Sequence, residues 1–300
     1  MNNAIPAAGL GWKKWVIGSR PRTLPAAVVP VMVGAACASA DSPVWWRVSL
    51  ALLVSLALQV GVNYANDYSD GVKGTDADRV GPLRLVGSGV ASASSVKKAA
   101  FIAFGVAGVA GLSLALMTTF WLLLVGACAI IAAWTYTGGP RPYGYAGLGE
   151  VFVFVFFGVV ATVGTQYVMS ETFTAAGWVA SVAVGAYACA LLVVNNLRDI
   201  PGDTEVGKRT LAVKMGDART RQFFAVLVVL ATASIVWVGV ITQPVAMAGL
   251  VGVIATRPAL NDIAKGLKGK SLIPVLGAVG RAQLILAVTF TAGIYFALQA

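Results

Sequence analysis

Apolar runs without charged residues recur along almost the whole chain, and most are long enough to cross a membrane. An α-helix rises about 1.5 Å per residue, so about 20 apolar residues span a hydrocarbon core about 30 Å thick. Of the 300 residues, 58% are apolar and only 11% are charged. A soluble domain of this size could not bury that much apolar surface. The sequence therefore predicts an all-α, polytopic membrane protein in which residues 1–300 form a single domain.

About nine transmembrane helices can be assigned from these runs. The predicted spans are Leu24–Ala40, Val48–Ala65, Ala99–Met117, Phe120–Trp134, Leu148–Met169, Ala175–Val194, Phe223–Ile241, Val245–Thr256 and Ala282–Leu298. The eighth is the shortest, but the basic residues support it. With a cytoplasmic N-terminus, 21 of the 22 Lys and Arg residues fall on the cytoplasmic side and only Arg47 falls outside. This asymmetry follows the positive-inside rule, so we expect a multi-pass protein of the cell membrane.

The first 20 residues precede the first predicted span. They include Trp12-Lys13-Lys14-Trp15, a combination of aromatic and basic residues that is typical of a membrane interface. No small-residue cleavage site of the signal-peptide kind follows. We therefore expect residues 1–20 to form a cytoplasmic interfacial segment that stays on the protein.

The net charge of +10 and the lack of histidine narrow the function classes. Because topology explains the basic excess, nucleic acid is not expected as a partner, whereas membrane lipid is. Without histidine, Ser-His-Asp hydrolysis and His-ligated zinc are excluded. Cys37, Cys128 and Cys189 all fall in predicted spans, where we expect them to be buried. Chemistry must therefore use carboxylates, cations, hydroxyls or a metal with oxygen ligands.

Two polar motifs of similar spacing follow predicted spans 2 and 6. The first motif is residues 63–70 and the second is residues 195–203. In each, an Asn precedes an Asp by four residues, so the two share one face if the helix continues. The similarity suggests two related halves of the chain. The alternative is that both motifs are ordinary polar helix ends, where Asn and Asp are favoured.

Carboxylates crowded at the mouth of a helix bundle repel one another unless a cation lies between them. Magnesium prefers oxygen ligands and is commonly held by carboxylates together with substrate phosphates. We therefore expect the motifs to hold Mg²⁺ and a diphosphate. The candidate metal ligands within the two motifs are Asn63, Asp67, Asp70, Asp199 and Asp203. The candidate diphosphate ligands are Asn66, Lys73, Arg79, Arg84, Asn195, Arg198, Lys208 and Arg209. For each basic residue the alternative is ordinary cytoplasmic loop charge.

Four blocks of the sequence match a known family. They are Arg20–Ala26, Asn66–Asp76, Tyr136–Tyr145 and Asn195–Asp203, the last followed by Lys208-Arg209-Thr210. On these blocks the chain resembles the UbiA superfamily of intramembrane aromatic prenyltransferases, and within it the branch that uses 1,4-dihydroxy-2-naphthoate. The chain departs from the broad family at two positions. Gly74 stands where the family carries a third acid, so the resemblance makes the displaced Asp76 a further candidate metal ligand, and Asn196 stands where the second motif normally opens with Asp.

The resemblance implies helices around a central cavity, with a magnesium-bound polyprenyl diphosphate between the motifs and an aromatic acceptor beside it. Departure of diphosphate would leave an allylic cation, which the acceptor ring attacks before losing carbon dioxide. Tyr68, Tyr136 and Tyr143 are candidates for facing that cation, although Tyr at an interface is also a common belt residue. Arg22 and Arg141 are candidates for holding the acceptor's carboxylate.

Two alternatives stay open at this point. A relative that prenylates 4-hydroxybenzoate or homogentisate would carry similar motifs. A secondary transporter would also carry intramembrane acids and internal duplication. A transporter, however, would place its charges near mid-membrane, whereas 10 of the 12 acidic residues here fall on the cytoplasmic side. That distribution favours a site at the cytoplasmic face.

Overall fold

The computed structural model describes residues 10–38, 43–75 and 83–299, and their regular structure is entirely helical. The helices are α1 (Lys13–Ser19), α2 (Pro25–Ala36), α3 (Arg47–Lys73), α4 (Ala93–Met117), α5 (Trp121–Thr135), α6 (Gly149–Ser170), α7 (Ala175–Glu205), α8 (Leu211–Ile241), α9 (Leu250–Ala255), α10 (Arg257–Ala264) and α11 (Leu272–Gln299). Helix α6 is π-helical over Phe154–Val160, and α8 has a kink at Gly216. Short 3₁₀ turns are Pro21–Thr23, Tyr143–Ala146, Pro244–Gly249 and Gly269–Ser271. The predicted all-α class is confirmed.

The helix lengths do not match the predicted nine spans one for one. Within the described ranges, six helices are long and apolar enough to cross a bilayer: α3, α4, α6, α7, α8 and α11. The apolar helices α2 and α5 are shorter. The predicted eighth span is the 3₁₀ turn Pro244–Gly249 followed by the short helix α9, so it is not one regular α-helix. Each predicted span therefore has a helical counterpart, but three counterparts are short.

Both motif helices continue well past the predicted ends of their spans. Helix α3 runs to Lys73 and ends at Gly74, whose φ of 71° is the left-handed value that glycine adopts at no steric cost. Helix α7 runs to Glu205. The polar motifs are therefore helical, so side chains three and four residues apart share a face.

The buried apolar residues form two clusters. The larger joins α2, α7, α8 and α11, and α7 has more than half of its residues buried. The smaller joins α3 and α4 with the loop after residue 83. Between α6 and α7 the backbones come close, because a Cβ at Gly158 would lie 2.5 Å from the Cα of Gly185. Small residues permit such approach between membrane helices.

The outer surface suits a lipid environment. Large apolar side chains are exposed all around the bundle, among them Ile102, Val109, Trp121, Val229 and Ile254. Cys37 and Cys189 are buried as predicted, but Cys128 lies on an exposed face of α5, because that helix has only Ala132 buried.

At the end of the bundle opposite the motifs, Arg47 pairs with Glu171 at 2.8 Å. The guanidinium of Arg47 also donates to the carbonyls of Met117 and Val168. These bonds join the beginning of α3 to the ends of α4 and α6. Arg47 is the one basic residue that was predicted to lie on the non-cytoplasmic side.

The described part of the interfacial segment packs onto α3. The Trp15 ring meets Tyr64 edge-on at 5.9 Å between centroids, and the Tyr64 hydroxyl donates to the Trp15 carbonyl. Residues 1–9 lie outside the described ranges.

Candidate active site

A large cavity, of about 1130 Å³, lies between α3, α4, α5, α6 and α7. On α3 its wall extends from Ala51 to Asp70, which is about 28 Å at the α-helical rise. Towards Ala51 the wall consists of apolar and small side chains, and at Asp70 it is polar. The cavity is therefore amphipathic along its length.

The polar end of the cavity receives both sequence motifs. From α3 it is lined by Asn63, Asn66 and Asp70, and from α7 by Asn195, Asp199 and Asp203. The two motifs, about 130 residues apart in the chain, therefore face one cavity. The predicted four-residue pairing holds for Asn195 and Asp199, whereas Asp67, four residues after Asn63, does not line the cavity.

Asp70 is the centre of the polar contacts on the α3 side. Its carboxylate lies 3.2 Å from the Lys208 ammonium and 3.6 Å from the Arg84 guanidinium, and it accepts a hydrogen bond from the Tyr145 hydroxyl. Asp70 is only 3% exposed, so these charges face one another with little water between them.

On the α7 side, Asp199 forms a two-pronged pair with its neighbour Arg198. Nε of Arg198 donates to one carboxylate oxygen at 2.7 Å and an Nη donates to the other at 2.8 Å. The same Nη donates to the amide oxygen of Asn195. Arg198 and Asp199 are both buried, so the pair is shielded from solvent.

The asparagines of the first motif hold neighbouring segments. The amide of Asn63 donates to the Ser19 carbonyl and the Thr23 hydroxyl, which ties α3 to the segment before α2. The amide oxygen of Asn66 accepts from the Thr137 hydroxyl at 2.8 Å. Both side chains therefore arrive at the cavity with restricted orientation.

Aromatic rings form the wall next to the polar end. Tyr143 stacks on Phe152 at 4.0 Å between ring centroids and meets Tyr136 edge-on at 5.4 Å. Burial raises the pKa of Tyr136 above its ordinary value, and the nearby carboxylates of Glu150 and Asp70 raise it further. Burial also raises the pKa of Tyr143. Both phenols stay neutral at any physiological pH.

Several predicted site residues lie away from the cavity wall. Tyr68 stacks on Trp134 and lies under the Lys97 ammonium. It is about 160° around α3 from Asp70 at 100° per residue, which explains why it faces the other side. Arg141 and Arg209 are exposed on the segments that precede α6 and α8, and the Lys73 ammonium donates to the Thr137 carbonyl. Arg22, in contrast, lines the cavity.

Asp67 does not line the cavity but binds the loop after residue 83. Its two carboxylate oxygens accept hydrogen bonds from the backbone amides of Leu85 and Val86, at 2.8 and 2.9 Å. Its predicted metal role stays a prediction. Asp76 and Arg79 fall within residues 76–82, which lie outside the described ranges.

Tyr145 and Arg20 line the cavity, although neither was predicted as a site residue. Tyr145 bonds Asp70, and its ring lies under two ammonium groups. Arg20 lines the cavity, has a left-handed φ of 53°, and carries a buried Nη2 with no hydrogen-bond partner among the described residues. Neither residue lies at a helical spacing from the Asp motifs, so residue spacing does not predict that they reach the cavity.

The oxygen donors at the polar end suit a hard divalent cation. Asp70, Asp199 and Asp203 with the neighbouring Asn oxygens are the donor set that magnesium prefers. Within the described ranges no three acidic, His or Cys side chains lie close enough to hold a metal by themselves. The carboxylates are instead split across the cavity, an arrangement suited to a cation whose remaining ligands come from substrate phosphate.

These features define a membrane-embedded helical protein with one amphipathic cavity, charged at one end and apolar at the other. The UbiA prenyltransferase family model matches residues 27–261, so the chain belongs to this family. It is 48% identical to the 1,4-dihydroxy-2-naphthoate octaprenyltransferase of Mycobacterium tuberculosis, over 94% of this chain and 97% of that one.

Solved structures share the fold. The apo structure of a UbiA homolog from Aeropyrum pernix K1 superposes with a TM-score of 0.69 at 15% identity, covering 90% of this chain and 96% of that one. A UbiA homolog from Archaeoglobus fulgidus bound to DMAPP and Mg²⁺ has a TM-score of 0.61 at 16% identity, covering 94% and 99%.

Proposed function

We propose that this chain transfers a polyprenyl group from polyprenyl diphosphate to 1,4-dihydroxy-2-naphthoate, with loss of diphosphate and carbon dioxide. The observation that carries the proposal is that two Asp motifs face one cavity whose far end is apolar. An amphiphile with a charged head and a long hydrocarbon tail fits such a cavity. The high identity to a relative named for this reaction supports the choice of acceptor.

The diphosphate head belongs at the polar end. Arg84 and Lys208 lie within 3.6 Å of Asp70, and Arg198 lies beside Asp199, so their N–H groups can reach phosphate oxygens placed between the motifs. Positively charged donors aimed at a leaving group stabilise the charge that develops as it departs. Before substrate binds, the same cations neutralise the carboxylates.

Magnesium would be held by Asp70, Asp199 and Asp203 with help from the Asn63 and Asn195 oxygens. When bound, it supplies charge neutralisation for the departing diphosphate. This assignment rests on the chemistry of the donor set, and on the split of the carboxylates between α3 and α7.

The apolar part of the cavity receives the prenyl tail. Small residues of α4, α5 and α6 line it, including Gly108, Gly126 and Gly164, at each of which an added Cβ would meet nothing within 4 Å. These glycines therefore leave open space in the cavity, which the prenyl tail can occupy. Burial of apolar tail area supplies binding free energy at about 25 cal/mol per Å².

The allylic cation needs protection from water. The rings of Tyr136, Tyr143 and Phe152 stand beside the polar end, and an aromatic face attracts a cation through its quadrupole. Because both phenols stay neutral, neither competes as an anionic nucleophile. The aromatic wall thus guides the cation towards the acceptor ring.

The acceptor's carboxylate requires a cationic partner near the aromatic wall. Arg20 and Arg22 line the cavity, and Arg20 has a buried N–H available to an anion. Attack by the electron-rich ring at the carbon bearing the carboxylate forms the new carbon–carbon bond. Release of carbon dioxide then returns the bonding electrons to the ring, so no strong protein base is required.

We place the active site at the cytoplasmic face of the cell membrane. The bundle end that carries the motifs also carries almost all of the basic residues, as the positive-inside rule requires of the cytoplasmic end. Both substrates can reach this end, one from the cytoplasm and the other from the bilayer.

A product assay tests the proposal. Purified protein in nanodiscs is given labelled polyprenyl diphosphate, 1,4-dihydroxy-2-naphthoate and Mg²⁺, alongside Asp70→Asn, Asp199→Asn and the control Asp217→Asn. Asp217 pairs with Arg221 on α8 and does not line the cavity. We expect a prenylated, decarboxylated product that EDTA and the first two substitutions abolish. Turnover with 4-hydroxybenzoate but not with the naphthoate would show that the proposed acceptor is wrong. No turnover with any aromatic acid would contradict the proposed reaction as a whole.

A further inference from the structure

Asp67 and the loop after residue 83 form one unit. Asp67 is 1% exposed, and its carboxylate accepts from two consecutive backbone amides, those of Leu85 and Val86. Two hydrogen bonds from adjacent amides to one carboxylate fix both the position and the direction of the backbone there.

The same loop residues fit closely against glycines on α1 and α3. A Cβ at Gly71 would lie 2.5 Å from the Cβ of Val86, and a Cβ at Gly18 would lie 2.6 Å from Cδ1 of Leu85. Leu85 is completely buried beside Tyr64. The loop is therefore seated in a slot that only small residues leave open.

Internal bonds make the seated loop compact. The amide of Ala91 donates to the Leu85 carbonyl, the amide of Gly89 to the Val86 carbonyl, and the amide of Ser88 to the Arg84 carbonyl. A carboxylate that holds two amides of this turn therefore holds the whole turn. The two hydrogen bonds to Asp67 therefore restrain residues 84–91 together and not only Leu85 and Val86.

Arg84 is the residue directly before the clamped amides. Its side chain is 8% exposed, lines the cavity and reaches to 3.6 Å from Asp70. Because Asp67 and Asp70 are about 60° apart around α3, one can hold the loop while the other faces the cavity. The loop is thus anchored on α3 next to the point where its arginine enters the site.

We propose that Asp67 is a positioning residue: it clamps residues 84–91 to α3 and thereby presents Arg84 to the anionic head of the prenyl substrate. This inference rests on the proposed function for the identity of that head. It assigns Asp67 to the loop and leaves metal binding to Asp70 and the α7 carboxylates.

The clamp requires a carboxylate rather than an amide. An Asn at this position has one acceptor oxygen, so its NH₂ group would face one of the two loop amides. Asp67→Asn therefore loses one bond and sets two donors against each other, while the size of the side chain stays the same. A glutamate keeps both acceptors but displaces them by one methylene.

The test compares Asp67→Asn with Arg84→Gln, the double variant Asp67→Asn/Arg84→Gln and Asp70→Asn in full-length protein in nanodiscs. Three quantities are measured: amide hydrogen exchange of the peptide covering residues 83–91, KM for the prenyl diphosphate, and the Mg²⁺ concentration for half-maximal activity. Asp217→Asn is the matched control, since it also removes a carboxylate from a hydrogen-bonded pair.

We expect Asp67→Asn to speed exchange in that peptide and to raise KM about tenfold, the size of a lost hydrogen bond to a charged group. The double variant should match Arg84→Gln, because both act through one cation. The Mg²⁺ requirement should shift with Asp70→Asn but stay at the wild-type value with Asp67→Asn. Asp217→Asn should change none of the three.

A shift of the Mg²⁺ requirement with Asp67→Asn, together with wild-type exchange in residues 83–91, would overturn the inference in favour of a metal ligand. If Asp67→Asn does not fold, Val86→Pro removes one donor from the loop side and should produce the same faster exchange at Leu85. Exchange is read without turnover, so a failure of the proposed reaction leaves the clamp separately testable.

Discussion

The hydroxyl of Tyr145 donates a hydrogen bond to the carboxylate of Asp70. The ring of the same tyrosine lies 4.9 Å from the Lys73 ammonium and 4.7 Å from the Lys208 ammonium. Its carbonyl accepts from the Arg209 amide. Three segments, at the end of α3, before α6 and before α8, therefore meet at Tyr145, which contacts the central acid of the site.

Removing only the Tyr145 hydroxyl distinguishes its hydrogen bond to Asp70 from the contacts of its ring with the two ammonium groups. Tyr145→Phe keeps the ring under both ammonium groups but leaves Asp70 without that donor, so we expect kcat/KM to fall about tenfold. Tyr145→Leu removes the ring as well and should cost more, because each cation–π contact contributes about 0.5–2 kcal/mol. Steady-state kinetics with the prenyl diphosphate measure both. Equal losses for the two variants would show that the ring contacts contribute nothing.

Arg198 is expected to matter for stability as well as for binding. Its removal leaves the buried carboxylate of Asp199 without a two-pronged partner, and breaking a buried pair costs about 3–5 kcal/mol. We expect Arg198→Ala to lower the thermal midpoint by several degrees, and Arg198→Lys to recover part of the loss. An unchanged midpoint for Arg198→Ala would contradict the strength assigned to this pair.

The length of the prenyl tail should be sensitive to Gly164 on α6. This residue lines the apolar part of the cavity and an added Cβ meets nothing within 4 Å, so a larger side chain fills cavity space without a clash. We expect Gly164→Leu to keep activity with a short prenyl diphosphate and to lose it with a long one. Product analysis with a ladder of chain lengths measures this. Equal loss at every length would place the tail elsewhere.

Gly158 lies on the same helix but, unlike Gly164, has no space for a side chain. A Cβ there would meet the α7 backbone at Gly185, which cannot move aside as a side chain tip can. Gly158→Ala should therefore destabilise the bundle by about 1–3 kcal/mol, the usual cost of overpacking. Thermal unfolding in detergent measures the loss. A wild-type midpoint would mean that α6 and α7 separate easily.

That both motifs face one cavity was predicted from their similar spacing, and Asn63 and Asp70 on α3 line it with Asn195 and Asp199 on α7. Asp67, four residues after Asn63, does not line the cavity, because its carboxylate holds two loop amides. Helix rotation also explains why Tyr68 lies away from the cavity, because at 100° per residue it is about 160° around α3 from Asp70. The partner of Asp67 was beyond prediction, since the loop amides that it holds lie 18 and 19 residues later and return through a turn. Arg20 and Tyr145 likewise reach the cavity through turns whose direction depends on tertiary packing.

The central claim is that the motifs on α3 and α7 bind one metal–diphosphate group together. Isothermal titration with a non-reactive prenyl diphosphate analogue and Mg²⁺ tests it in the wild type, Asp70→Asn, Asp199→Asn and the double variant. If the claim holds, each single substitution abolishes most of the affinity and the double variant loses little more, because residues that act as a unit are not additive. Strictly additive losses, or retention of wild-type affinity after either single substitution, would contradict it.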